Sequence, residues 1–195
     1  CWTNLSQALV DLSEFERAFQ AVRKALQIDP TLAESHNQLA EVYRKTFKYD
    51  LAISAYKKSL ELRPTLYESM LGLATVYRES EDVGAALEVL NRLISLEPRH
   101  AKAHAALGIL KEQIGDTVAA ADCFKKSIEL APDVVSPLYH LSQIKGRIIS
   151  QDEILAMERL QKMTDLSSKD RSHVHFGLGE AYDQQGQTDK AFNAW

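Results

Sequence analysis

The chain has 195 residues, 45% of them apolar and 26% charged, with a net charge of −4. That composition excludes intrinsic disorder and fibrous classes, and the acidic balance argues against nucleic acid or an anionic membrane held by bulk electrostatics. No apolar run approaches the ~20 residues of a membrane-spanning helix. Cys1 and Cys123 form neither a disulfide framework nor a zinc site, so a reducing, cytoplasmic compartment is the expectation.

Spacing says more than composition. Pro30, Pro64, Pro98 and Pro132 recur every 34 residues. The same interval gives Leu5, Leu39, Leu73, Leu107 and Leu141, each followed by a small residue (Ser6, Ala40, Ala74, Gly108, Ser142), and the pattern resumes at Leu178 and Gly179. A second column reads Ala18, Ala52, Ala86 and Ala120, with Val22, Tyr56, Leu90 and Phe124 four residues on; Ala191 and Trp195 repeat the pair. Within a unit, apolar residues recur at three- and four-residue steps, as in Leu39, Val42 and Tyr43, which marks one helical stripe.

In chain order the pattern predicts helices over Trp2 to Leu12, Glu14 to Asp29, Leu32 to Thr46, Tyr49 to Arg63, Leu66 to Ser80, Val83 to Glu97, Ala101 to Ile114 and Thr117 to Leu130. Small residues let paired helices approach, turns such as Gly115-Asp116 and Gly186-Gln187 join them, and each proline stops a second helix. The fifth unit spans 37 residues, from Leu141 to Leu178. Two of its added residues are expected in the turn around Arg147 to Gln151, which puts Ala156 in the alanine column. Ser136 and Pro137 read as cap and first turn of its first helix, and Ser150-x-x-Glu153 as a capping box opening its second. A polar loop is expected from Leu166 to Arg171.

These columns, with Trp2 three residues before Leu5, resemble the tetratricopeptide repeat, a 34-residue antiparallel helix pair. The resemblance implies an all-α fold, an α-α superhelix in the form of a right-handed solenoid. Residues 1–195 then form a single solenoid with repeats of about 1–32, 33–66, 67–100 and 101–134, a divergent 135–171 and a partial 172–195. A chain that opens on Cys1 and stops within a helix reads as a section of a longer array.

Residues that bear chemistry are sparse. His36, His104 and His175 share the Trp2 column and read as packing residues. His100 and His104 lie one helical turn apart without convergent ligands, and His173 and His175 lie on different faces, so no metal and no cofactor is expected. Cys123 has no neighbouring base to activate it, and no phosphate-cradling glycine motif occurs. The chain reads as non-catalytic.

In such an array the first helices line a concave groove. Its expected binding residues are Asn37, Gln38, Glu41, Arg44, Leu71, Thr75, Arg78, Lys102, Ala105, Ile109, Tyr139, His140 and Gln143, flanked by Lys45, Glu68, Glu112, Arg147, His173, Phe176, Glu180 and Asp183. Mixed charge over an apolar floor suits an extended peptide or a partner helix. The family's clamp for chaperone carboxylates does not form: Thr3, Gln7, Gln38, Glu68 and Gly72 occupy its places in one register, and Asn37, Glu41, Gly72, Lys102 and Ala106 in the next. The expected function is a scaffold for a protein or peptide segment, with no nucleic-acid or membrane partner and with self-association through exposed repeat ends. A narrower likeness, over residues 165–192, is to the repeats preceding a sulfotransferase domain in some bacterial proteins. It implies instead the substrate-presenting or oligomerising arm of a larger enzyme.

Overall fold

The computed structural model describes residues 2–194 and holds twelve α-helices and no strand among them. The pair partner expected at Trp195 lies outside the described residues. The chain divides into two compact units, Cys1–Pro98 and Arg99–Trp195.

The first unit contains α1 (Trp2–Asp11), α2 (Phe15–Ile28), α3 (Ala33–Lys45), α4 (Tyr49–Leu62), α5 (Tyr67–Glu79) and α6 (Val83–Leu96). The second contains α7 (Ala101–Gln113), α8 (Thr117–Leu130), α9 (Val135–Ser142), α10 (Gln151–Gln161), α11 (Ser168–Gln184) and α12 (Thr188–Ala194). The first eight agree with the sequence expectation to within a residue or two at each end. In the first unit α1 packs on α2, α3 on α4 and α5 on α6, while α1, α3 and α5 also lie side by side. In the second, α7 packs on α8, α9 on α10 and α11 on α12, with α9 touching both α7 and α11.

The repeated columns form the cores. Ala18, Ala52, Ala86 and Ala120 are fully buried, as are Val22, Tyr56 and Phe124 four residues later. Each of these helix crossings has only a methyl group at this place, which lets the paired helices approach closely. The last turn of a second helix is also tied to the start of its own first helix. Ser59 Oγ donates to the Ala33 carbonyl at 2.8 Å, and Ser127 Oγ to that of Ala101 at 2.9 Å.

Helix ends repeat as faithfully. The second helices stop at Ile28, Leu62, Leu96 and Leu130; an extended residue follows (Asp29, Arg63, Glu97, Ala131, φ −136 to −146), then the proline. The proline ring excludes α geometry from the residue before it. First helices end on a left-handed residue: Ser13, Phe47, Glu81, Gly115 and Gly186, with φ between 58 and 83°. The next amide reaches back to the helix, as Asp82 N does to the Tyr77 carbonyl (2.8 Å) and Asp116 N to that of Lys111 (2.9 Å), a Schellman closure.

The fifth repeat differs from expectation in four ways. Ser150 does open α10 with a complete capping box to Glu153, but it follows Leu141 by the same nine residues that separate Asp82 from Leu73. No residue is therefore added before α10, although α9 ends early and the connection spans residues 143–150; the extra length falls after α10, chiefly as an added turn at the start of α11. With that register Ile154, not Ala156, takes the place of Ala52 and Ala86, and both Ile154 and Ala156 are buried. Helix α9 begins at Val135 with Val134 as a backbone cap, so Ser136 lies inside it and does not cap it. The expected polar loop from Leu166 is shorter, because Ser167 caps α11 by accepting from Asp170 N at 3.1 Å.

Candidate functional site

In the first unit the candidate residues of α3 and α5 are engaged with one another. Arg44 bonds Glu41 of its own helix at 2.9 Å and Glu79 of α5 at 3.0 Å, all three half-buried. Glu41 also accepts a hydrogen bond from the hydroxyl of Tyr56, a buried ring on α4. Burial alone would lower the Arg44 pKa; the Glu41 carboxylate, then Tyr56 and Glu79, outweigh it and hold the guanidinium above its usual range. Burial, then Glu41, pushes the Tyr56 hydroxyl far above the usual tyrosine value, so it stays a donor. Asn37 Oδ1 accepts from Ser69 Oγ (2.8 Å), and the Thr75 hydroxyl donates to the Leu71 carbonyl (2.8 Å). Gln38 is half-buried, with Oε1 enclosed and without a hydrogen-bond partner. Leu71 and Arg78 are half-buried, Arg78 standing 3.9 Å from Glu79.

In the second unit α8, α9 and α11 bring rings together, and α7 adds a carboxylate. Tyr139 stacks face to face on His173 (centroids 4.1 Å, planes 8° apart) and meets the edge of Phe176 at 6.2 Å. His140 stacks on Phe124 of α8 at 5.3 Å and binds Glu112 of α7 through Nδ1 at 2.8 Å. Desolvation, then the nearby Lys169 charge, lowers the His173 pKa below its ordinary value, and its Nδ1 is enclosed without a partner. Ala105 is buried and Ile109 half-buried, while Lys102 is exposed. Gln143 is the C-cap of α9, its amide on Ser142 Oγ at 3.3 Å. Arg147, expected on the helix, lies in the loop beyond it and pairs with Glu153.

Spacing thus assembles Tyr139, His140, Ile109 and Glu112 with His173 and Phe176, whereas Asn37, Glu41 and Arg44 are bound up within the chain. Tyr56, Ser69 and Glu79 join that first cluster and were not among the sequence candidates. Their link to it crosses helices, so only the hydroxyl of Tyr56, the one polar side chain among Val22, Tyr56, Leu90 and Phe124, signalled it.

Three further histidines bond backbone near helix ends. His100 Nδ1 accepts from Ala103 N at 3.1 Å as the cap of α7, His36 Nε2 meets the Pro30 carbonyl at 2.9 Å, and His175 Nδ1 meets that of Ala194 at 3.1 Å. Burial pushes the Cys123 thiol up, away from the thiolate form that reacts. Among the described residues no helix is long and apolar enough to cross a membrane.

Stacked antiparallel helix pairs joined by Schellman turns and proline stops define a helical-repeat protein, all-α and of the α-α superhelix class. Tetratricopeptide repeat family models match residues 1–32, 31–98 and 71–134. Together they cover more than half of the chain, which belongs to the tetratricopeptide repeat family. Among solved structures, PilF of Pseudomonas aeruginosa matches with a TM-score of 0.73 at 18% identity, over 97% of this chain and 86% of that one. MamA matches at 0.61 and 21% identity (95% and 96% covered). YrrB, described as a TPR protein with an unusual peptide-binding site, matches at 0.57 and 21% identity (99% and 89%). Identities this low show the fold alone. No curated protein matches in sequence. The family segments end at residue 134, so the sulfotransferase-associated likeness over residues 165–192 gains no support from them.

Proposed function

We propose that the chain is a non-catalytic scaffold that binds an extended peptide or protein segment along its first helices. The observation that carries this reading is the ring surface of the second unit, where Phe176 stays 46% exposed beside the half-buried rings of Tyr139, His140 and His173. An apolar strip of aromatic side chains with polar neighbours suits a bound segment whose side chains alternate between contact and solvent. The peptide-binding site named for YrrB adds family precedent.

The test begins with peptides selected from a random library on the full chain. Hydrogen exchange with a selected peptide bound is expected to slow in α7, α9 and α11. Slowing confined to the second helices, for instance around exposed Leu155 of α10, overturns the reading.

A further inference from the structure

Among the described residues several aromatic rings carry a cation from the same chain: Trp2 has Lys24 at 4.7 Å, Tyr182 has Lys190 at 5.4 Å, and Phe19 and Tyr77 have Arg23 and Lys57, each at 5.9 Å. Among the described residues no cation stands over Phe176, one of the exposed rings. Its position is set by Tyr139 at its edge, itself braced by the stack on His173, so the ring is presented in a defined orientation.

Towards the start of α11 Phe176 shares a cavity with Arg171, Ser172, His175 and Ala194, and towards the end of the helix its neighbours are acidic. Glu180 and Asp183 follow it by four and seven residues on α11 and so lie along the same helix face. Among the described residues no ion pair reaches either one, while other carboxylates of this unit are met: Glu112 by His140 and Glu153 by Arg147. A π face next to two unpaired carboxylates attracts a cation twice over, once through the ring quadrupole and once through charge. A guanidinium fits better than an ammonium. It is planar, stacks on a ring, and still directs its fork of N–H donors sideways to a carboxylate.

Resting on the groove reading above, we propose that Phe176, Glu180 and Asp183 form a subsite for an arginine side chain of the bound segment. The arginine lies flat on Phe176, with its N–H groups turned to Glu180 and Asp183.

Peptides selected on the full chain supply the probe, each compared with a version in which arginine is replaced by citrulline, of nearly the same shape but uncharged. The expected results are arginine enrichment among the selected peptides and about tenfold weaker binding of the citrulline forms. The double variant Glu180→Gln/Asp183→Asn is expected to show a similar loss that fades at high salt, and Phe176→Leu a loss of about threefold. All three side chains reach solvent, so melting curves close to wild type should accompany these losses. Equal affinity of arginine and citrulline peptides overturns the subsite, as does a double variant that binds unchanged. If exchange slowing remains in α7, α9 and α11 in that event, only the arginine claim falls. Slowing confined to the second helices removes the groove reading as well.

Discussion

The ring of Tyr56 fills the space that a β-carbon on Gly72 would need: built there, it would stand 2.4 Å from Cζ. Tyr56 is fully buried and its hydroxyl is bound to Glu41, so the ring cannot swing away without breaking that bond. Gly72→Ala should therefore cost about 2 kcal/mol, read as a shift in the denaturation midpoint. Gly84, helical and exposed, is the control. Its nearest neighbour to a built β-carbon is Asp82 Oδ1 at 3.8 Å, so Gly84→Ala should stabilise by about 0.5 to 1 kcal/mol. Equal effects at the two glycines would contradict this account of the α4–α5 crossing.

The left-handed turn residue separates conformational strain from packing. Glu81 has φ 66° and an exposed side chain, while Gly115 occupies the equivalent place at φ 83°. Glu81→Gly removes the steric cost of the left-handed region and should stabilise by up to about 1 kcal/mol; Gly115→Ala should destabilise by about the same amount. Chemical denaturation of the two variants checks both signs. A loss of stability at Glu81→Gly would show that its side chain has a role these contacts do not reveal.

Ala86 is fully exposed to its neighbours and not at all to water. Ala86→Leu adds three carbons where the α5–α6 crossing leaves no room, and should cost roughly 1 to 3 kcal/mol. A melting temperature equal to wild type would mean that the alanine column does not mark the closest approach.

How far the sequence foretold all this depends on whether a feature is local. The prolines, the leucine and alanine columns and the helix ends repeat because each repeat solves the same local problem, and eight helices follow from them. The fifth repeat breaks the rule for reasons that lie elsewhere in the chain. Helix α9 stops after Ser142, and the backbone beyond it is held by Gln184, whose Oε1 accepts from Ile149 N at 3.0 Å, and by Arg147 on Glu153. A partner 35 residues away leaves no periodic trace. The same holds for the candidate sites: helix periodicity put Arg44 and Tyr139 on the first-helix face, but Glu79 on Arg44 and His173 on Tyr139 became visible only with the neighbouring helices in place.

Arg44 follows from that lesson. Its guanidinium holds Glu41 and Glu79 together in a half-buried cluster, so Arg44→Ala leaves two carboxylates facing each other with only the more distant Arg78, 3.9 Å from Glu79, as counter-charge. The expected loss is about 2 kcal/mol, beyond the ~0 to 1 kcal/mol of an exposed pair. A double-mutant cycle with Glu79→Ala should return a coupling of about 1 kcal/mol or more. Additive losses would place the effect in lost packing of the arginine stem instead.

His173 gives a pH dependence whose sign can be worked out. Burial first, with Lys169 and His140 adding repulsion and Asp170 opposing them, lowers its folded pKa below the ordinary 6.5. The unfolded chain then binds the proton more readily than the folded one, so this residue's contribution falls as pH drops through 6.5 and is restored above it. Protonation also places a charge in the stack with Tyr139, 4.1 Å away. The His173 ring resonances, followed by NMR, should titrate with a midpoint below 6.5, and His173→Phe should lessen the fall in melting temperature between about pH 7 and pH 5. A midpoint above 6.5 would reverse the sign, and the Tyr139 stack would then favour the charged ring.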